Sequence, residues 1–167
     1  MLRRMVLLLV ALLAVLAVFV TTALATPPSP TGIVVVTARG ELAEPLNVNT
    51  KFDNDAKVRI KTDGPVELIV QRIEAAPGST FGWHTHPGEN VNVVAQGTVT
   101  IYHDEHCTEG IAYGTGSAFP THPDGIHLAR NDGTETVVIF ATYYAPKTTP
   151  PTAVRLDQPL PAPGCPQ

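Results

Sequence analysis

Short stretches of β-branched and apolar residues recur along the chain after its first 25 residues, and turns containing Gly, Pro, Asn or Asp separate them. Lys57–Thr62 alternates charged and apolar side chains, Val66–Glu74 follows the turn Asp63–Pro65, and Glu135–Ala145 is almost continuously apolar. Beyond its start, the chain has no sustained apolar repeat of 3.6 residues. Short strands at intervals of about 8–12 residues, without amphipathic helices, predict an all-β sandwich or barrel.

The start of the chain has the pattern of an export signal. Arg3 and Arg4 precede the apolar run Met5–Val20, and a small-residue cleavage pattern ends at Ala25. This order predicts a signal peptide over residues 1–25. The protein is therefore expected to be secreted or to lie in the cell envelope, and an uncleaved signal would be its membrane contact.

The remaining residues fit one domain, since a chain of 167 residues has room for a single sizeable core. Residues 26–32 are predicted to be a Pro-rich spacer and residues 33–145 a β-barrel domain. Residues 146–167 are rich in proline, which disfavours helices and central strands, and are predicted to form a tail. The apolar segment Ile33–Val36 is a candidate edge strand and a candidate contact for a homodimer.

Cys107 and Cys165 are the two cysteines of the chain. In an exported protein an even pair indicates one disulfide. It would close a loop of roughly 57 residues, which the chain-entropy model values at about 4 kcal/mol. The bond is expected to attach the C-terminal tail to the barrel.

The charge pattern indicates the class of partner. Without residues 1–25 the chain has nine basic and 15 acidic residues, a formal charge of −6, and no basic run. This surface gives no electrostatic basis for nucleic-acid binding, so a small-molecule ligand is expected.

Three histidines are candidate metal ligands. His84 and His86 are two residues apart, so in an extended strand both imidazoles leave the same face. With His127 from a distant strand and a nearby oxygen donor, they would make a usual site for a first-row divalent metal. Iron, manganese, zinc, copper and nickel are all candidates. No residue is singled out as catalytic, and no serine lies in a Gly-x-Ser-x-Gly elbow.

The spacing of these residues resembles the two sequence motifs of the cupin family. The first motif is matched at Gly78, His84, His86 and Gly97. The second is matched, with two compensating one-residue shifts in its loop, at Gly116, Pro123, Gly125, His127 and Asn131. The resemblance implies a double-stranded β-helix, or jelly roll, and His127 as the third histidine ligand.

The family has a glutamate ligand where this chain has Asn90, seven residues before Gly97. Strict strand alternation turns Asn90 inward, whereas a bulge at Gly88 would turn the adjacent Glu89 inward instead. Either residue is a candidate fourth ligand. With a carboxylate the metal site would keep a charge of +1, and with a neutral amide it would keep +2 and favour anionic ligands.

Further residues are placed by parity. Asn92 shares the parity of the histidines and is a candidate pocket residue, as is His122 in the loop before His127. Phe81 and Trp83 have the opposite parity, which favours packing.

The expected function is binding of a divalent metal and a small molecule, with a binding or sensing module favoured. The alternative is a metal-dependent enzyme of the dioxygenase or isomerase kind.

Overall fold

The computed structural model describes residues 25–29, 31–148, 151 and 153–167, so residues 1–24 of the predicted signal peptide lie outside the described residues. The strands are β1 (Ile33–Glu41), β2 (Asn47–Lys51), β3 (Lys57–Lys61), β4 (Val66–Ala75), β5 (Thr80–Thr85), β6 (Asn90–Gln96), β7 (Thr98–His103), β8 (Gly110–Gly114), β9 (Ala118–Thr121), β10 (His127–Arg130), β11 (Val137–Pro146) and β12 (Leu156–Asp157). A short 3₁₀ turn, Asp104–His106, follows β7. Within the described ranges, no helix has the length and apolar character that a membrane crossing requires.

Ten of the strands form two five-stranded sheets, in the orders β1-β4-β11-β6-β9 and β12-β5-β10-β7-β8. All pairs are antiparallel, and strands distant in sequence are neighbours, such as β4 with β11 and β5 with β10. This interleaved pairing is that of a double-stranded β-helix, so the predicted all-β jelly roll is confirmed. The edge strand β1 exposes Val34, Val35 and Val36.

The core lies between the sheets because alternate residues of each strand point inward. β4 contributes Ile69 and Ile73, and β11 contributes Ile139, all less than 9% exposed. Val99 and Ile101 on β7 meet them from the other sheet. Removal of this apolar surface from water is the main stabilising contribution to such a barrel.

The hairpin β2–β3 differs from the half-buried strand that Lys57–Thr62 predicts. Among the strands that the structure describes, these two pair only with each other, and every residue of β3 except Ile60 is exposed. The alternation that predicts burial does put Val58 and Ile60 on one face. Among the described residues no sheet covers that face, so the pattern gives the correct strand but not its environment.

The C-terminal segment, residues 153–167, covers the outer face of the sheet β12-β5-β10-β7-β8. β12 pairs with β5, and the Cys107–Cys165 disulfide expected from the sequence is present. Trp83, which points away from the histidine side of β5, is fully buried beneath this segment and donates its indole N–H to the Pro166 carbonyl, 2.8 Å away. A second small apolar cluster of Trp83, Leu128 and Cys165 results.

Candidate metal centre

The three histidines predicted as ligands converge between the sheets. His84 lies on β5, His86 follows it by two residues, and His127 on β10 is paired directly with His84. The ring centroids are 5.0 Å apart for His84–His86, 4.4 Å for His84–His127 and 5.0 Å for His86–His127. One nitrogen from each ring lies within 4.8 Å of the others, close enough for the three to hold one metal ion.

A backbone carbonyl fixes the orientation of each ring. The Nδ1–H groups of His84, His86 and His127 donate to the carbonyls of Gly82 (2.8 Å), Val154 (2.6 Å) and Gly125 (2.9 Å). An imidazole whose Nδ1 carries the proton keeps its lone pair on Nε2. The carbonyls therefore act as the outer hydrogen-bond partners that metal-binding histidines require, and they select the ligating tautomer in all three rings.

Burial favours the neutral form of these histidines. All three are at most 6% exposed. Burial lowers the pKa of His84 well below its ordinary value, with a further decrease from His127, and it also lowers the pKa of His86. Burial lowers the pKa of His127 to about 4. Neutral imidazoles bind metals without first losing a proton, so the cluster is ready to bind near neutral pH.

These pKa values predict a pH dependence for the protein freed of metal by a chelator. The unfolded His127 has a pKa of about 6.5, so between pH 6.5 and pH 4 the unfolded state binds the proton that the folded state excludes. Stability is therefore full above pH 6.5 and falls on acidification. Protonation linked to His127 alone should lower the free energy of unfolding by about 2 kcal/mol between pH 7.5 and pH 5, which urea unfolding would measure. His127→Asn should remove that part of the loss, and greater stability at pH 5 would contradict the prediction.

The structure separates the two candidates for the fourth ligand. Asn90 faces inward and is 2% exposed, but its side-chain oxygen accepts hydrogen bonds from Asn92 Nδ2 (3.0 Å), the Thr121 N–H (3.2 Å) and the Thr121 hydroxyl. Glu89 faces outward, where its carboxylate lies 3.0 Å from His122 Nδ1. The oxygen of Asn90 is thus occupied by three donors, and Glu89 is on the wrong side of the strand. The inward orientation of Asn90 agrees with strand alternation, and the identity of a fourth ligand stays a prediction.

The two predicted pocket residues have different positions. Asn92 is buried and lines the cavity beside the histidines, as its parity predicts. His122 does not line it: 72% of its side chain is exposed, and it pairs with Glu89 on the surface. This corrects the placement of His122 in the pocket. The physical reason is that Thr121 is the last residue of β9, so His122 begins a surface turn that is not aligned with the sheet interior.

Phe81 lines the cavity together with His84, although strand parity predicts opposite faces. A β-bulge reverses the alternation: Leu128 pairs with Trp83 but Arg130 pairs with Thr80, so β5 contains one extra residue here. Gly82 lies in the bulge with φ of +66°, in the left-handed region that glycine adopts at little cost. A glycine inside a strand is the sequence signal for such a bulge.

Replacing Gly82 with alanine is predicted to destabilise the protein by about 2 kcal/mol or more. A left-handed backbone costs other residues about 1–2 kcal/mol, and an added Cβ would lie 2.1 Å from the Thr26 carbonyl oxygen. The midpoint of urea unfolding checks this. Gly114→Ala is the matched control, because its φ is ordinary and its nearest neighbour, Thr98 Oγ1, is 3.7 Å away. An equal effect of both substitutions would contradict the prediction.

Two cavities adjoin the histidines. The smaller, about 50 Å³, lies inside the barrel and is lined by Asn90, Asn92, His127 and Tyr143, among others. Burial raises the pKa of Tyr143 to about 12, so its hydroxyl stays protonated near neutral pH. The larger cavity, about 290 Å³, lies between β1, β5 and the C-terminal segment. His84 and His86 line both cavities.

The donor set fits a divalent transition metal. Three neutral imidazoles suit zinc, copper, iron and nickel, and three protein ligands leave coordination positions for water or another molecule. Among the described residues that line the two cavities there is no carboxylate. A bound divalent ion would therefore keep its charge of +2 and attract anionic ligands.

Sequence reasoning missed one residue at this site, Arg155, which lines the larger cavity from the C-terminal segment. Its positive charge contributes to lowering the pKa of each of the three histidines, after burial as the main cause. The Pro-rich composition around Arg155 predicts a passive tail. The signal available in the sequence is local: Val154-Arg155-Leu156-Asp157 is a proline-free stretch that alternates apolar and charged residues.

Several solved structures are similar to this chain. A protein from Klebsiella pneumoniae with a double-stranded β-helix domain is 22% identical, with 69% of this chain and 84% of that chain covered and a TM-score of 0.44. A predicted oxalate decarboxylase from Thermotoga maritima is 20% identical, with coverage of 49% and 82% and a TM-score of 0.41. An oxalate oxidase is 18% identical, with a TM-score of 0.42, and the match covers 47% of this chain and 42% of that enzyme chain.

No curated protein sequence matches the chain. Residues 71–143 match the family described as "Cupin domain". This range contains His84, His86 and His127, together with the strands β5 to β10 that carry or support them. The match over residues 71–143, together with the double-stranded β-helix, supports the cupin superfamily.

Proposed function

We propose that this protein is an exported cupin that binds a divalent transition metal through His84, His86 and His127 and holds a small molecule beside it, as a binding or sensing module. The observation that carries the proposal is the set of three Nδ1–H···O=C hydrogen bonds, which leaves three Nε2 lone pairs in one buried cluster. Buried imidazoles with this arrangement are rare in a purely structural core, because apolar residues would fill the space at lower cost. A ligand role explains why three of them are retained.

A metal-dependent enzyme of the dioxygenase or isomerase kind is the second candidate. The observation that favours it is the absence of a fourth protein ligand among the described residues around the cluster, since both Asn90 and Glu89 are otherwise engaged. Catalytic metal sites keep open positions of this kind for water or substrate. The binding role remains favoured because none of the described residues that line either cavity is a carboxylate that could serve as a general base.

Export is part of the proposal. The apolar start of the sequence supports a cleaved signal peptide, and the Cys107–Cys165 disulfide is typical of proteins outside the reducing cytoplasm. Mature protein recovered outside the cytoplasm should begin near Thr26, which N-terminal sequencing would establish. Recovery of the full-length chain from the cytoplasm would contradict export.

The metal content of the purified protein tests the central proposal. We expect about one equivalent of a first-row metal per chain by elemental analysis, and a higher melting temperature when metal is returned to chelator-treated protein. Protein without metal, whose melting temperature is unchanged by iron, manganese, zinc, copper and nickel, would refute it. Oxygen uptake or product formation with candidate diols and diketones would favour the enzyme over the binding module.

A further inference from the structure

The larger cavity contains an arginine whose hydrogen bonding is incomplete. Arg155 is the charged residue among the described residues that line this cavity, and its side chain is 20% exposed. Its Nε–H is buried and has no hydrogen-bond partner among the described residues, while one terminal nitrogen donates to the Thr26 carbonyl at 3.2 Å. Buried donors in native proteins are almost always paired, so an unpaired guanidinium N–H beside a cavity indicates a missing acceptor.

The nearest anion does not supply that acceptor. Asp157 lies 3.0 Å from the same terminal nitrogen that contacts Thr26, and 44% of its side chain is exposed. A partly exposed ion pair is weakened by solvent, and this one does not involve Nε. The Nε–H group of the guanidinium is thus left for a second acceptor.

The rest of the cavity indicates what kind of molecule carries that acceptor. Apart from Arg155 and the two histidines, most of the lining is apolar or aromatic: Ile33, Val35, Ile73, Phe81, Tyr143 and Val154. The volume of about 290 Å³ suits a molecule of roughly ten non-hydrogen atoms, because small-molecule sites are of this order or larger. An apolar body with one planar anionic group matches this lining, and a carboxylate matches the fork of a guanidinium.

We propose that Arg155 makes this cavity a binding site for the carboxylate of a small organic acid, whose body packs between β1, Phe81 and the C-terminal segment. Contact of the same acid with a metal on His84 and His86 rests on the function proposed above. The recognition of the carboxylate by Arg155 does not depend on that proposed function. In this proposal the C-terminal segment contributes the specificity-determining residue of the site, although it lies outside residues 71–143.

Benzoate and its neutral analogue benzamide test the proposal, by calorimetric titration of the full protein in zinc-loaded and chelator-treated forms. Benzoate should bind the wild type more tightly than benzamide does. Arg155→Met should weaken benzoate binding about tenfold to 100-fold, the range expected for a charge-assisted hydrogen bond, and leave benzamide binding unchanged. Arg155→Lys should give an intermediate loss. Arg72→Met, which removes an arginine of β4 that pairs with Glu74 of the same strand, is the matched control and should change nothing.

Asp157→Asn tests the proposal independently, because it should change the affinity for benzoate in the opposite direction to Arg155→Met. Removal of the competing carboxylate should strengthen benzoate binding several-fold, whereas a merely structural Arg155–Asp157 pair would make both substitutions harmful. Equal benzoate affinity in wild type and Arg155→Met, benzamide as tight as benzoate, or no gain in Asp157→Asn would each overturn the proposal. If Arg155→Met does not fold, Asp157→Asn decides. Zinc content is measured on the same samples: a zinc-treated protein that holds no zinc would exclude zinc as the metal of the proposed function, whereas Arg155-dependent benzoate binding by chelator-treated protein would support this proposal independently.

Discussion

Replacing His84 or His127 with alanine is expected to lower the affinity of the protein for its metal by more than 100-fold. Loss of an outer hydrogen-bond partner of a metal ligand typically costs about 10-fold to 100-fold in affinity, and loss of the ligand itself costs more. The two residues come from different strands, β5 and β10, but their rings are 4.4 Å apart, so both substitutions should have the same effect. Competition with a chromophoric chelator measures the affinity.

Two other histidines provide matched controls for this experiment. His122 is exposed and pairs with Glu89, and His106 lies in the exposed 3₁₀ turn after β7. Alanine at either position should leave metal affinity unchanged. If His122→Ala lowered the affinity as much as His84→Ala, the three-histidine site would be wrong. The melting temperature of each metal-free variant separates loss of the ligand from loss of the fold.

Removal of the disulfide by the paired substitution Cys107→Ala and Cys165→Ala is expected to destabilise the protein by about 4 kcal/mol. The bond joins residues 58 apart, and the chain-entropy model gives about this value for a loop of that length. Urea unfolding of the variant and of the wild type, with and without reductant, measures the difference. Reductant should lower the wild-type midpoint to that of the variant and have no effect on the variant itself.

The same variant should show where the stability is lost. Trp83 is the single tryptophan of the chain and is buried beneath the C-terminal segment, next to Cys165. If the bond holds that segment in place, its loss should shift Trp83 fluorescence to longer wavelength and weaken metal binding, because the Val154 carbonyl orients His86. An unchanged midpoint and an unchanged spectrum would mean that the segment is held by its other contacts.

The parts of the site that depend on strand periodicity could be predicted from the sequence. His84 and His86 share a face because two residues separate them, and Asn92 follows the same rule along β6. Phe81 could not be placed in this way, because the bulge at Gly82 reverses the parity and a single glycine is a weak signal. Asn90 could be placed inward, but the three donors that occupy its oxygen belong partly to β9, whose register is a tertiary property.

The environment of a strand was harder to predict than its existence. β3 has the alternation of a half-buried strand but lies in a hairpin that no described sheet covers. Arg155 was missed for a related reason. Its approach to the histidines depends on β12 pairing with β5, a two-residue contact across more than 70 positions of sequence. Composition identifies the segment as Pro-rich, but only the pairing gives it a role.

The attachment of the C-terminal segment also determines when the histidine cluster can be completed during biosynthesis. His86 obtains its carbonyl partner from Val154, 68 residues later, and Thr26 pairs with Gln158, 132 residues away. Contacts at such separations are formed slowly, because distant parts of the chain must first be brought together at an entropic cost. A nascent polypeptide therefore cannot fix the His86 ring in its ligating orientation until Val154 has been translated and folded back, which would place high-affinity metal capture late in folding.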